Sequence, residues 1–539
     1  MSSHHSKSRR QFIQSSGLLL GVAALPAVMR PASASAAIVT LDSARPQLTQ
    51  GLQIGDVRSH GALIWSRADR PARMWVEYDF DPAFTHPTRV RGPYALDATD
   101  YVARVDLTEL PAGRDIFVRV QFQDLSNARV MSEAVLGHFR TAPEGARDIR
   151  FLWSGDTAGQ GWGINPEFGG MKIYETMRQT QPDFFIHSGD NIYADGPIKE
   201  FQNAENGLVW HNLVTPEVSK VAETLNEFRG RYKYNLLDEN VRRFNAEVPQ
   251  IWQWDDHEVV NNWSDSKDLM ADARYTEKNV PLLVARGTRA FLEYAPMRYH
   301  GVAESERVYR HIPYGRLLDV FVLDMRSYRG PNTYNRQSEP GPDTAFLGAE
   351  QIAWLKQKLR ASKAVWKVIA ADMPLGLTVG DGTDAQGRPR FENSSNGDGP
   401  VLGREFEIAD VLRYIKRHHV SNVVWFTADV HYCAAHFYDP NLAQFQDFEP
   451  FWEFVSGPLN AGSFGPGKLD NTFGPQVVFQ KYPPAQNLSP FAGLQFFGQV
   501  DIDAHTGAMT VRLKDMEGTT VFSRLLTPTT ERRGRGERD

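Results

Sequence analysis

A chain of 539 residues, 41% hydrophobic and 23% charged, has the make-up of an ordinary globular protein with room for more than one domain. Its formal net charge of -6 leaves no electrostatic footprint for nucleic acid. The single cysteine, Cys433, excludes an intramolecular disulfide, so cohesion must come from packing and from any bound metal.

Residues 1–36 read as an export leader. Arg9 and Arg10 in SRRQFI precede the weakly apolar run GLLLGVAALPAV and the small residues ASASAA, with A-x-A cleavage patterns at 32–34 and 34–36. The apolar run is too short for a stable membrane span. The expected route is the twin-arginine export machinery, which carries folded, cofactor-loaded proteins, and the expected location is periplasmic or secreted.

Between 48 and 142 the short runs GALIWSRA, RMWVEYDF, YVARVDLTEL, DIFVRVQFQ and VLGHFRT alternate in polarity and are broken by turn residues. This predicts a small antiparallel β-sandwich of immunoglobulin or fibronectin type. No residue in it groups with a chemical partner, so a structural or docking module is expected. APEGARD, 142–148, reads as the linker.

From 149 to 527 apolar strands alternate with helical patterns. RFLWSGD, DFFIHSGD, VPQIWQWDDHE, LLDVFVLD, WKVIAADMP and NVVWFTADVH all begin apolar and deliver acidic residues or acidic–histidine pairs at the same end. Ile408, Val411, Leu412 and Ile415 form one helical stripe, and Ile352, Leu355 and Leu359 another. The fold class expected is α/β, a sandwich with parallel or mixed sheets whose chemistry lies along one rim. LQFFGQVDIDAHTGAMTVRLKDMEGTTVFSRLL closes the chain as an antiparallel ribbon, and the polar insertions 376–404 and 457–476 are long enough to be active-site loops.

The chain is organised around FFIHSGDNIYADGP, 184–197, where a buried strand releases Asp190, Asn191, Tyr193 and Asp195. Asp190 can bridge two cations, and the Tyr193 phenolate is a hard donor suited to ferric iron. Asp156 ends an earlier strand in a glycine-rich turn. Asp256 and His257 end a third strand between Asp255 and Glu258, which read as solvating the turn. Asp429 and His431 point to one side of an extended segment. Singly, each has an ordinary reading as a turn, cap or core residue. Together they would bury several kcal/mol of unpaired charge, on the order of one unpartnered polar group per cluster, unless cations offset it. A two-cation site, typically with metals roughly 3.5–4 Å apart, also generates a bound hydroxide near neutral pH and clamps an in-line displacement. Neither GxSxG nor a P-loop is present, which disfavours a covalent serine route.

GDxxY, DDHE and DxH in this order resemble the calcineurin-like metallophosphoesterases, and the GD and GDNIY pair resembles the purple acid phosphatases among them. The alkaline phosphatase D (PhoD-type) family is similar along nearly the whole chain, through FRGRYKY, VPQIWQWDDHEVVNNW, FLEYAPMR, YGRLLDVFVLDMRSYRG, LGAEQIAWL, AVWKVIAADMP, ADVHY and WEFVSG. The resemblance implies a metallophosphoesterase αββα sandwich behind the small β domain. It implies Fe3+ on Asp156, Asp190, Tyr193 and His431, and one or two Ca2+ ions on Asp190, Asp256 and Asp429, with other divalent cations possible. It gives His257 a phosphate contact or proton donation to the leaving oxygen, and makes Asn191 and Arg326 substrate contacts. Asp372 is a further candidate for the divalent site. Typical members carry a cysteine ligand near the first motif; Asp156 stands there instead, as in purple acid phosphatases, and Cys433 reads as a buried inert thiol.

The expected activity is hydrolysis of phosphomonoesters and phosphodiesters through a metal-bound hydroxide. The alternatives are a phospholipase D-type diesterase and, of another class, a periplasmic binding module in which metal is structural.

Overall fold

Phe184–Ser188, Gln250–Gln253, Leu318–Val322 and Trp366–Ala370 are strands in which every residue is buried. Strands buried along their whole length lie inside a sheet covered on both faces. The computed structural model describes residues 42–301 and 304–529. The expected leader lies outside the described residues.

The strands form two large sheets. In the nine-stranded sheet, Ile149–Ser154, Phe184–Ser188 and Gln250–Gln253 run parallel. The ribbon Phe496–Ile502, Met509–Asp515 and Thr520–Leu526 extends one side antiparallel. In the seven-stranded sheet, Leu318–Val322, Trp366–Ala370, Val423–Thr427 and Phe451–Val455 are parallel neighbours. The inner faces meet through Phe151, Trp153, Phe184 and Ile251 on one side and Val320, Val368, Phe426 and Phe454 on the other. Trp153 and Phe426 lie 4.4 Å apart across this interface. Each such side chain contributes about 1.5–3 kcal/mol by burial.

Helices cover the outer faces. Lys172–Gln179, Leu225–Asn235, Glu239–Glu247 and Val280–Tyr294 pack on the nine-stranded sheet, and Ala349–Ala361 and Glu405–Arg417 on the other. The predicted stripe Ile408, Val411, Leu412 and Ile415 is the buried face of the last helix. The layering is the αββα sandwich.

The N-terminal strands form a sandwich that shares a sheet with this core. Leu52–Arg58 pairs parallel with Gln250–Gln253, and Gly61–Arg67 and Val102–Leu107 continue the nine-stranded sheet outward. A four-stranded sheet, Ala72–Asp79, Thr88–Ala95, Asp115–Asp124 and Val135–Arg140, packs against them around Ile54, Ile64, Met74, Val118 and Phe122. The junction needs glycine, because a Cβ on Gly55 would sit 1.7 Å from the Pro296 carbonyl oxygen. The insertions 376–404 and 457–476 are knitted together, with Leu377–Thr378 pairing to Lys468–Leu469.

Candidate metal centre

Parallel strands all end at the same rim, so their exit loops converge. Asp156 follows Ile149–Ser154, Asp190 and Tyr193 follow Phe184–Ser188, and Asp255 to Glu258 follow Gln250–Gln253. From the second sheet come Arg326, Asp372 and the pair Asp429 and His431.

Four of the predicted ligands have left-handed backbones: Asp156 (φ 65), Asp190 (φ 50), Asp429 (φ 65) and His431 (φ 59). Non-glycine residues hold this conformation at a cost of order 1 kcal/mol or more, and keep it where the surroundings over-determine it. The surroundings here are specific. The Asp156 carbonyl accepts N–H bonds from Leu459, Asn460 and Ala461, and its own N–H donates to Gly189 O. Glu258 accepts from the N–H groups of Asp255 (2.7 Å), Asp190 (3.2 Å) and Asn191 (2.6 Å), binding two exit loops to each other. Asp255 and Glu258 are both fully buried, so the expectation that they solvate a turn is corrected.

The would-be ligand atoms cluster in three overlapping groups, each spanning no more than 4.8 Å: Asp156, Asp190 and His431; Asp190, Asp256 and His257; Asp255, Asp256 and Asp429. Asp190 joins the first two groups and Asp256 the last two. Tyr193 Oη lies 2.9 Å from His431 Nε2, which is 3.7 Å from Asp156 Oδ1. His431 Nδ1 sits 2.5 Å from Gly462 O, so that nitrogen carries the proton and Nε2 presents its lone pair to the cluster. Burial lowers the His431 pKa to about 4, keeping the imidazole neutral as a ligand must be.

These donors fit cations. Both carboxylate oxygens of Asp156 and of Asp372, Oδ2 of Asp255 and Oδ1 of Asp256 are buried with no hydrogen-bond partner among the described residues. Burial, then the neighbouring Asp255, pushes Asp156, Asp372 and Asp429 well above the usual carboxylate range; burial, then Asp256, does the same to Asp190. Burial, followed by Asp190 and Asp156, holds Tyr193 far above the ordinary phenol value. So many mutually repelling acids stay ionised together only if positive charge enters among them. The donor set is oxygen-rich, as hard cations require.

His257 occupies the edge of the centre, where an open cleft of about 360 Å³ is bordered by Gln160, Tyr193, Asn261, Lys267 and Arg274. Its Nδ1 lies 2.6 Å from Asp195 Oδ1, whose other oxygen accepts the Asn261 N–H at 3.0 Å. The Tyr193 ring stacks on the imidazole at 4.3 Å. Burial alone would lower the His257 pKa, but Asp195 and Asp256 raise it to about 10, which favours the protonated ring. Burial opposes ionisation of Asp195, yet His257 holds it at about 2. Sequence reasoning quoted Asp195 without giving it this role; its spacing from His257 by 62 residues carries no local signal.

Two expected substrate contacts lie elsewhere. Asn191 points inward, its amide donating to Gln253 O (2.7 Å) and Glu258 Oε1 (3.0 Å). Arg326 is fully buried behind the carboxylates: Nε donates to Asp255 Oδ1 at 2.6 Å, Nη1 pairs with Glu392, and Asp372 lies 3.7 Å away. It is an internal counter-cation, because no face of the guanidinium is left for substrate. Cys433 is buried, and burial raises its pKa to a value at which the thiol stays neutral.

The family model described as PhoD-like phosphatase matches residues 151–513, and that of the PhoD-like phosphatase N-terminal domain matches 32–143. Alkaline phosphatase D of Bacillus subtilis (strain 168) is 26% identical over 512 residues, covering 90% of this chain and 81% of the relative. A solved structure of PhoD superposes with a TM-score of 0.65 at 21% identity, covering 90% of this chain and 93% of that one. A purple acid phosphatase from yellow lupin (Lupinus luteus) seeds superposes with a TM-score of 0.55 at 12% identity, covering 90% and 74%. Both solved structures share the fold.

Proposed function

This chain belongs to the PhoD-like phosphatase family and is a phosphoric ester hydrolase; from that premise we propose that it is an exported enzyme hydrolysing phosphomonoesters and phosphodiesters at a mixed iron–calcium centre. The family assignment leaves no place for the alternative of a non-catalytic binding module. The observation that carries the reading of the centre is the set of buried carboxylate oxygens without partners around Asp190 and Asp256.

Asp156, Asp190, Tyr193 and His431 would hold Fe3+, and Asp190, Asp256 and Asp429 would hold one or two Ca2+ ions. Asp255, which clusters with Asp256 and Asp429, would join the divalent side. Bound there, the cations would neutralise phosphoryl oxygens and make water a stronger nucleophile at moderate pH. The protein's own contribution is proton delivery and orientation. Asp195 fixes the orientation of the His257 ring and favours its proton, Tyr193 holds the ring plane, and Nε2–H can protonate the departing oxygen. Gln160, Asn261, Lys267 and Arg274 line the cleft beside it, a polar wall suited to a small phosphate ester. Phospholipid, the substrate of the phospholipase D-type alternative, should therefore turn over more slowly than a soluble diester.

The test is hydrolysis of p-nitrophenyl phosphate and bis-p-nitrophenyl phosphate, with and without chelator, on protein taken from the exported fraction. Chelator-sensitive turnover of both, and a visible tyrosinate–iron absorption lost in Tyr193→Phe, are expected. Active, colourless, iron-free protein overturns the iron assignment. Arg9→Lys/Arg10→Lys should leave the protein inside the cell.

A further inference from the structure

The 376–404 insertion carries no chemical motif, yet it reaches the carboxylate side of the centre at two points. Glu392 is buried and pairs with Arg326, which in turn holds Asp255. The second point lies nearer solvent. Asp381, on the short strand Gly380–Thr383, accepts from Asn262 Nδ2 at 3.2 Å through one oxygen and from Asn332 Nδ2 at 3.0 Å through the other. Asn332 Nδ2 also reaches Asn262 O at 3.0 Å, and Asn262 Nδ2 reaches Gly380 O at 3.2 Å. Asn262 is thus gripped by side chain and backbone alike. It needs that grip, because its backbone is left-handed (φ 55) in a turn with no helix or strand to hold it.

What the grip achieves is visible one bond further in. The Asn262 N–H donates to Asp256 Oδ2, while Asp256 Oδ1 is buried without a hydrogen bond, 3.9 Å from Arg326 Nη2, and Asp256 contributes an oxygen to the clusters with Asp190 and with Asp255 and Asp429. A hydrogen bond that fixes one carboxylate oxygen sets the direction of the other, and such outer contacts tune affinity at metal sites. We infer that the insertion is a clamp on Asp256, with Asp381 its positioning residue: Asp381 holds the left-handed Asn262, whose N–H aims Asp256 Oδ1 at the divalent position. The chain of contacts runs Asp381, Asn262, Asp256, and it crosses 119 residues of sequence between its first two members.

The clamp rests on the reading of Asp256 as a divalent ligand, and the experiment separates the two. The full chain, freed of divalent ions by chelator, is titrated with Ca2+ as parent, Asp381→Asn, Asp381→Glu, Asp256→Asn and Asp384→Asn, with kcat, KM and thermal midpoint measured alongside. Among the described residues Asp384 bonds only within its own turn and to Arg388, so it serves as the control for disturbing the insertion. Asp381→Asn should bind Ca2+ about ten- to a hundred-fold more weakly. Its kcat should fall at limiting Ca2+ and recover at saturating Ca2+, with KM and thermal midpoint unchanged. Asp381→Glu should recover part of the affinity, and Asp384→Asn should match the parent. Parent-like Ca2+ binding in Asp381→Asn, with binding lost in Asp256→Asn, overturns the clamp and leaves Asp256 a ligand. Parent-like binding in both overturns the clamp and the ligand assignment together. A loss of activity in Asp381→Asn that tracks lost thermal stability and is not recovered by Ca2+ reduces Asp381 to a structural prop and also overturns the clamp.

Discussion

The two halves of the centre solve the same electrostatic problem differently. Around Asp156, Tyr193 and His431 no lysine or arginine pairs with the donors among the described residues: His431 is held neutral, and both Asp156 oxygens lack hydrogen-bond partners. Around Asp255, Asp256 and Asp372 it supplies Arg326, fully buried among three carboxylates and Glu392. On the proposed assignment the first half would take the metal of higher charge, with mixed donors. The second is partly neutralised in advance, which permits weaker, exchangeable binding of a divalent ion. The contrast teaches that one rim of carboxylates need not be one kind of site.

The sharpest way to break this comparison is Asp190→Asn, since Asp190 belongs to clusters on both sides. Turnover should vanish and both metals should fall below stoichiometry by elemental analysis, with the fold retained by circular dichroism. Loss of only one metal would mean Asp190 is not shared. Next in size is Asp195→Asn, which leaves the ligands intact and removes the carboxylate that holds His257. Hydrolysis of an alkyl phosphate should slow by roughly 10²–10⁴-fold, while p-nitrophenyl phosphate, whose leaving group needs no proton, should change far less. Equal slowing of both would remove His257 from the proton donor's place.

Arg326→Met probes the pre-neutralised half through stability. Leaving buried carboxylates without their guanidinium should cost about 3–5 kcal/mol by denaturant unfolding in chelator. Added Ca2+ should restore part of this. The smallest effect on turnover comes from a buried acid outside the centre. Burial, then Asp470, raises Glu405 from the usual 4.5 to about 9. Its folded pKa is raised, so the folded state binds the proton more tightly, and stability falls as pH rises from about 4.5 towards 9. Relative to the parent, Glu405→Gln should therefore gain stability steadily as pH rises from about 4.5 to 8–9, read as a widening difference in Tm, with the two nearly equal near pH 4.5. A constant difference across this range would place the effect in packing.

The sequence by itself determined the layers and the ligand-bearing strand ends. Apolar runs closed by Gly155-Asp156, Gly189-Asp190 and Ala428-Asp429 are short-range patterns, and parallel strands must deliver their ends to one rim. Tyr193 and His431 were legible for the same reason, lying two or three residues from a strand-end aspartate. Only the tertiary structure decided which polar residues face the candidate metal centre and which face each other. Glu258 became the staple between two loops, Arg326 an internal counter-cation, Asn191 an inward contact and Asp195 the partner of His257. Each depends on a residue 60 or more positions away, as in Asp195 with His257 (62) and Arg326 with Asp255 (71). The sharing of a sheet between the N-terminal sandwich and the core, through Gly55 and Gln250, is likewise a pairing across the chain. Periodicity records which face of a strand is buried; it holds no record of the neighbour that buries it, because that choice is made by packing among distant segments.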